Sequence, residues 1–163
     1  GSCEMSQRID YAKQSSELVR KMTDLSMAVK QGAIEKSILT LVDIRASQLN
    51  GCAFCLDMHV KEAKIQGERE LRVHHVAIWR ESTLFDERER AALLWTETLS
   101  RLPEGGVPDA IYAQVREHFS EKEIVDLTFA VMTINAWNRL SIAFQAVPGS
   151  AHKLYGLEKA NLA

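Results

Sequence analysis

The sequence has little proline, little cysteine and almost no excess of charge of either sign. Among its 163 residues there are three prolines and three cysteines, and the formal net charge is -2. A chain so weakly charged has no overall field that would attract nucleic acid or an anionic membrane surface. No apolar run approaches the roughly 20 residues that a membrane helix needs. We therefore expect neither nucleic acid nor a membrane as a partner.

The small number of cysteines also indicates a cellular compartment. Three cysteines are too few for the disulfide framework of a small secreted protein. The N-terminus lacks the basic and apolar segments of a secretory signal, so we expect a cytoplasmic protein. Residues 1–4 are interpreted as a cloning remnant and Met5 as the native start, which would make Cys3 an incidental thiol.

The apolar residues of the chain are abundant and recur at helical spacings. They make up 46% of the sequence, enough for one core, so residues 1–163 are expected to form a single domain with a weakly determined C-terminal tail at 150–163. Strand-like alternation is nearly absent, which predicts an all-α fold. The predicted helices span residues 11–32, 35–49, 52–66, 68–80 and 86–102, followed by one that starts at 108 and one at 120–144.

Several of these boundaries have recognisable capping signals. Gly67 is expected to end the third helix, and Pro108 suits the first turn of the helix that it opens. Ser120 and Glu123 have the spacing of a capping box, in which each side chain accepts a backbone N–H of the other residue. The helix that follows is the most apolar of all, and we expect it to be the most buried.

The segment NGCAFCLDMH, residues 50–59, holds two of the three cysteines and a histidine. Its Asn-Gly pair is typical of a helix C-terminus, so Cys52 is expected at the N-terminus of the next helix. The helix dipole and the free N–H groups there lower the pKa of a thiol. Cys55 and His59 follow at spacings of three and four, on the same helix face. His59 can therefore take the proton of Cys55.

Three uses of this segment remain open on spacing alone. A zinc site would need a fourth ligand, and the sequence has no second cluster beyond the nearby His74 and His75. The cysteines could instead be inert core residues beside a satisfied histidine. A dithiol that cycles with a disulfide is favoured by the helix start at Gly51 and by the position of His59.

Residues 41–68, LVDIRASQLNGCAFCLDMHVKEAKIQGE, resemble the core motif of the AhpD-like alkylhydroperoxidases, within the carboxymuconolactone decarboxylase superfamily. Residues 87–99 resemble the second conserved helix of that family, and residues 129–144 resemble its terminal helix. The terminal segment also matches the family's pattern of polar residues, at Asn135, Asn138 and Arg139. The resemblance implies an all-helical fold around an antiparallel helical pair, with the CxxC motif at the start of a core helix. It also implies a homo-oligomer, either a trimer or a hexamer.

The activity that the resemblance implies is thiol-dependent reduction of hydroperoxides. Cys55 would attack the peroxide and become a sulfenic acid, and Cys52 would resolve this acid to a disulfide. An external dithiol protein would then reduce the pair, while His59 would act in proton transfer. The resemblance implies no metal and no flavin or nicotinamide cofactor.

One position departs from the family pattern. The family often has a glutamate twelve residues before the first cysteine, where this chain has Thr40, which cannot act as a carboxylate base. Glu89 and Glu97 lie where the family often carries glutamate, so we take them as candidate catalytic carboxylates, with a solvated helix face as the alternative. Asp57 is expected on the surface, and the sequence leaves the role of Asp43 open.

Two arginines interrupt apolar helix faces. A buried arginine needs a carboxylate partner. We therefore expect either Arg45 or Arg139 to pair with an acidic residue, the candidates being Asp43, Glu89 and Glu97.

Two other functions compete with the peroxidase hypothesis. The threonine at position 40 suggests poor turnover, which leaves open a redox-sensing or scaffolding oligomer. A lactone decarboxylase of the wider superfamily would work by acid–base chemistry. Such an enzyme has no use for a dithiol, so Cys52 and Cys55 argue against it.

Overall fold

The computed structural model describes residues 6–162, and every regular element among them is helical. The eight α-helices are α1 (Tyr11–Gln14), α2 (Ser16–Lys30), α3 (Lys36–Asn50), α4 (Ala53–Ile65), α5 (Glu70–His75), α6 (Glu87–Ser100), α7 (Asp109–Arg116) and α8 (Glu121–Ala143). Short 3₁₀ helices span Val76–Glu81 and Leu157–Ala160. The all-α prediction is therefore confirmed for the described residues. The interpretation of residues 1–4 as a cloning remnant falls outside them.

Helix α3 lies at the centre of the fold and packs against α4, α6 and α8. It contributes to both apolar clusters of the core, through Val42 and Ala46 in one and through Leu41 and Ile44 in the other. Eight of its 15 residues are buried, against eight of 23 in α8. The expectation that the last helix is the most buried was therefore wrong, because α8 has one face outside the core of the single chain.

The connection between α3 and α4 is only two residues long and makes the helices an antiparallel pair. Gly51 adopts a left-handed conformation with φ of 69°, which favours glycine because it has no Cβ. Cys52 is the N-cap of α4, as the Asn-Gly signal predicts. Helix α4 ends at Ile65, just before Gly67, whose φ is 79°. The glycines at positions 51 and 67 thus mark both ends of α4, as the sequence predicts.

Two predicted helices are divided in the structure. The segment predicted at 11–32 breaks at Ser15 into α1 and α2. Its apolar stripe is not buried in the single chain: no residue of α2 is buried and Leu18 is 68% exposed, although Val29 packs against the core cluster. The segment predicted at 68–80 ends as an α-helix at His75 and continues as a 3₁₀ helix with a kink at Ile78.

Other helix ends follow the predicted chemistry closely. The capping box of Ser120 and Glu123 is present, and Asp86 forms a second one with Glu89 at the start of α6. Pro108 is the N-cap of α7 rather than a residue of its first turn.

The segment after α8 covers part of the helical core. Leu157 and Ala160, both in the tail predicted at 150–163, are buried, and their 3₁₀ helix packs against α4. Within residues 6–162, no helix combines the length and the apolar character needed to cross a bilayer.

Candidate active site

Cys52 and Cys55 lie at the N-terminal end of α4 and are joined by a disulfide. Their Cα atoms are 5.3 Å apart, within the usual range for this bond. Both residues belong to the apolar cluster that α3 forms with α8, and they are only 2% and 3% exposed. In the reduced protein, the free N–H groups of the first helical turn would stabilise a thiolate at this position.

A network of amides, of which Asn138 is buried and Asn50 and Asn135 are half-buried, holds the loop that carries Cys52. The Nδ2 group of Asn50 donates hydrogen bonds to Oδ1 of Asn135 at 2.8 Å and to Oδ1 of Asn138 at 2.9 Å. Asn138 in turn donates to the Ser47 hydroxyl at 3.1 Å. The Ser47 carbonyl accepts the backbone N–H of Cys52 at 3.0 Å. The polar residues of α8 that match the family pattern therefore tie the end of α3 in place.

Glu97 lies in a cluster of ion pairs. Its carboxylate accepts hydrogen bonds from Arg45 at 2.9 Å, from the Trp79 indole at 2.8 Å and from Arg80 at 2.6 Å. Burial acts to raise the pKa of Glu97, but these three donors outweigh it and hold the pKa below its usual value. The expectation that a half-buried arginine pairs with one of three carboxylates is confirmed for Arg45.

Glu89 is likewise held by an ion pair and by a backbone hydrogen bond. It pairs with the guanidinium of Arg72 and accepts the backbone N–H of Asp86 at 3.0 Å. Among the described residues, neither Glu89 nor Glu97 forms a hydrogen bond or ion pair with the cysteines or with His59. The catalytic role of Glu89 and Glu97 stays a prediction. Their ion pairs already account for the position of both carboxylates without such a role.

The carboxylates that do approach His59 are Asp43 and Glu62. The Nδ1 atom of His59 lies 3.5 Å from Oδ2 of Asp43 and 3.7 Å from Oε2 of Glu62. Glu62 is three residues after His59 on α4, and Asp43 comes from the facing side of α3. Because His59 is also four residues after Cys55, one helix face carries the thiol, the imidazole and Glu62.

The surroundings of His59 bring proton exchange close to neutral pH. Burial raises the pKa of Asp43 to about 6. Burial acts to lower the pKa of His59, but the negative charges of Asp43 and Glu62 outweigh it, so that the pKa of His59 is raised. For Glu62, burial acts to raise the pKa, and the adjacent imidazole of His59 lowers it below the usual value. Groups poised in this way suit proton transfer.

The position where the family often has glutamate lies elsewhere on this helix pair. The Thr40 hydroxyl contacts the Gln66 side-chain oxygen at 3.0 Å, beyond the end of α4. Asp43, three residues later on the same face of α3, occupies the place beside His59. The role of Asp43 was left open by its sequence pattern, and Glu62 was not among the predicted site residues. Helical spacing could have indicated both residues, because Asp43 is three residues after Thr40 and Glu62 is three residues after His59.

Comparison with known proteins identifies the relatives of this helical domain. Residues 16–98 match the sequence profile of the carboxymuconolactone decarboxylase family. The uncharacterised protein YdfG of Bacillus subtilis is 42% identical over 139 residues, which cover 85% of this chain and 95% of YdfG. The chain belongs to the carboxymuconolactone decarboxylase family.

Solved structures agree with this membership in the carboxymuconolactone decarboxylase family. A protein of unknown function from Agrobacterium tumefaciens, suggested to be the antioxidant defence protein AhpD, is 40% identical with a TM-score of 0.84. The match covers 88% of this chain and 98% of that one. A peroxidase-related protein from Ralstonia eutropha is 19% identical with a TM-score of 0.76 and shares the fold. That match covers 88% of this chain and 76% of the Ralstonia eutropha chain. The AhpD-like resemblance is thus confirmed.

The buried Asp43 predicts an unusual dependence of stability on pH. Since its folded-state pKa is raised to about 6, the folded protein retains a proton that the unfolded chain releases near pH 4. The raised pKa of His59 acts in the same direction, because its stabilisation is lost as the pH rises through that pKa. The free energy of unfolding of the wild type, relative to Asp43→Asn, should therefore fall between about pH 4 and 7, by up to about 1.4 kcal/mol per pH unit.

Denaturant unfolding of both proteins at several pH values measures this difference. Glu70→Gln, which removes a carboxylate whose side chain is 91% exposed, serves as the control and should follow the wild type. Parallel curves for the wild type and Asp43→Asn across this range would contradict the prediction.

Proposed function

We propose that the protein is a thiol-dependent peroxidase that reduces hydroperoxides through a Cys52–Cys55 dithiol–disulfide cycle. The observation that carries the proposal is the disulfide at the N-terminus of α4, one helical turn from His59 and its two carboxylates. Family membership and the antioxidant role suggested for the Agrobacterium tumefaciens relative support it. A decarboxylase would leave this dithiol without a role.

In the first half of the cycle, the reduced Cys55 thiol gives its proton to His59. The resulting thiolate attacks the terminal oxygen of the hydroperoxide, and the O–O bond breaks as the S–O bond forms. The alkoxide that leaves takes the proton from His59 and departs as an alcohol. The Cys55 sulfur has then lost two electrons and is a sulfenic acid.

In the second half, the Cys52 thiol attacks the sulfur of the Cys55 sulfenic acid. The S–S bond forms, the S–O bond breaks, and the leaving hydroxide takes the Cys52 proton to become water. An external dithiol protein then reduces the disulfide by thiol–disulfide exchange and is itself oxidised. This cycle balances without a metal or an organic cofactor in the subunit.

We assign the proton relay to His59 with Asp43 and Glu62, in place of the candidates Glu89 and Glu97. With the Nδ1 atom of His59 directed at the two carboxylates, the Nε2 atom is left for the thiol. Carboxylates on one imidazole nitrogen raise the basicity of the other, as in other cysteine–histidine nucleophile pairs. Asp43 and Glu62 thus take the place of the relay glutamate that the family often has at position 40, where this chain has Thr40.

We further propose a cytoplasmic homo-oligomer, either a trimer or a hexamer. In the single chain, large apolar side chains remain exposed on two helices, with 68% for Leu18 and 54% for Met27 on α2, and 54% for Met132 on α8. Exposed apolar surface of this kind is typical of a face that another subunit covers. A reducing compartment would also maintain the dithiol.

Redox chemistry at the two cysteines is the central test of the proposal. Stoichiometric hydroperoxide should remove two thiols from the reduced protein, and mass spectrometry should find them as a Cys52–Cys55 disulfide. Cys55→Ser should abolish the reaction. Cys52→Ser should still form a sulfenic acid at Cys55, which a dimedone adduct detects. Recovery of both thiols in full after peroxide treatment would refute the peroxidase proposal.

The relay can be tested residue by residue. His59→Ala should slow the oxidation of Cys55 by peroxide on the order of 10²-fold or more, the usual effect of removing a positioned base. Asp43→Asn should slow it as well and shift the pH profile of the rate, measured by stopped flow. Glu97→Gln is the matched comparison and should leave the profile unchanged. If Glu97→Gln shifts the profile and Asp43→Asn does not, the relay runs through Glu97.

Assembly is tested independently of chemistry. Multi-angle light scattering at micromolar concentration should give a mass that is three or six times that of the 18.3 kDa chain. Replacing Leu18 with Lys on the exposed face of α2 should weaken the assembly if that face is covered. A single 18.3 kDa species in the wild type would exclude the proposed oligomer.

A further inference from the structure

We propose that Asp43, His59 and Glu62 form a binding site for a divalent first-row transition-metal ion such as Zn²⁺. Each residue offers one ligand atom, and the three atoms lie within 4.8 Å of one another. They combine one imidazole nitrogen with two carboxylate oxygens, drawn from two facing helices. The site uses no cysteine, so it differs from the zinc site that the CxxC spacing would suggest.

The separations of His59 from the two carboxylates suit a shared ion. Nδ1 of His59 lies 3.5 Å from the Asp43 oxygen and 3.7 Å from the Glu62 oxygen. Ligand bonds of about 2.0–2.2 Å to Zn²⁺ require the ligand atoms to be about 3–4 Å apart. His59 and Glu62 are three residues apart on α4, and a histidine and a carboxylate at that spacing on one helix, completed from a facing helix, recur in the metal sites of helical bundles.

The Nδ1 atom of His59 supplies a second, independent observation. It is buried, and among the described residues it has no hydrogen-bond partner. A buried polar atom without a partner is unfavourable, because it has lost its hydrogen bonds to water. Coordination of a cation between this nitrogen and the two carboxylate oxygens would satisfy it.

A chain of hydrogen bonds positions Glu62 from outside. The Gln66 amide donates to Oε1 of Glu62 at 3.3 Å, and the Thr40 hydroxyl contacts Oε1 of Gln66 at 3.0 Å. These contacts hold one carboxylate oxygen and leave the other, Oε2, directed at His59. Supporting hydrogen bonds of this kind orient metal ligands in proteins. Thr40 thus acquires a positioning role in place of the missing glutamate.

The ligand set also indicates which ions can bind. One nitrogen and two oxygens suit Zn²⁺, Mn²⁺ or Fe²⁺, whereas Mg²⁺ prefers oxygen ligands and retains its water. The three side chains are 15%, 18% and 26% exposed, so an ion has access from solvent and can keep water molecules as further ligands.

Calorimetric titration of the oxidised 163-residue protein with ZnCl₂ tests the site. The Cys52–Cys55 disulfide excludes both thiols from binding, and alkylation beforehand blocks Cys3. One Zn²⁺ should bind per chain at pH 7.5, with Mg²⁺ unable to displace it at equal concentration. Asp43→Asn and Glu62→Gln should each weaken binding by about 100-fold or more, since removing even supporting partners of a ligand weakens binding about 10–100-fold.

The matched control is Glu70→Gln. It removes the carboxylate of an exposed pair on α5, in which His74 lies 3.4 Å from Glu70, and it should bind Zn²⁺ as the wild type does. The fold of every variant is checked by circular dichroism. Wild-type affinity in both Asp43→Asn and Glu62→Gln, or no Zn²⁺ binding by the wild type, would overturn the proposal.

A pH titration of the wild type tests the same site without any substitution. Protons and the ion compete for the same atoms, so the Zn²⁺ affinity should fall at least about tenfold from pH 8 to pH 5.5. An affinity that does not change over this range would count against the site, even if a variant fails to fold. Because the measurement involves no peroxide turnover, its outcome is separate from that of the proposed peroxidase activity.

Discussion

The hydrogen bonds from Asn50 to the amides of α8 are the interaction on which the candidate site depends. They join the half-buried Asn50 and Asn135 to the fully buried Asn138, where an amide that lost its partners would be unfavourable, so they define one position for the end of α3. From that position Gly51 reverses the chain and Cys52 begins the next helix. The location of the disulfide is thus determined by residues more than 80 positions further along the chain.

The antiparallel packing of α3 on α4 then decides which side chains meet. Residues early in α3 lie beside residues late in α4, so Thr40 reaches Gln66 and Asp43 reaches His59. A shift of one helical turn along α3 exchanges the partner of the histidine. In this chain the carboxylate that faces the imidazole therefore comes from position 43, one helical turn after position 40.

Local signals in the sequence predicted much of this architecture. The Asn-Gly pair, the capping box at Ser120 and the placement of Cys52 at a helix N-terminus all depend on neighbours within a few residues, and the structure has them. The environments of Glu97 and Asp43 depend instead on side chains from other helices. Helical periodicity could not indicate that Arg45, on another helix, would pair with Glu97, nor that no residue of the apolar stripe of α2 would be buried in the single chain.

Cys52 has two roles that share a single atom. Its sulfur carries the disulfide and also accepts the Cys55 N–H at 3.3 Å as the N-cap of α4. Reduction frees the Cys52 side chain to rotate, and as a neutral thiol its sulfur is no longer held in place as an acceptor for the N–H groups of the first turn. That turn frays more easily, so its amide protons exchange with solvent faster in the dithiol than in the disulfide. Reduction by a partner protein therefore makes the N-terminus of α4 less ordered than it is in the disulfide state.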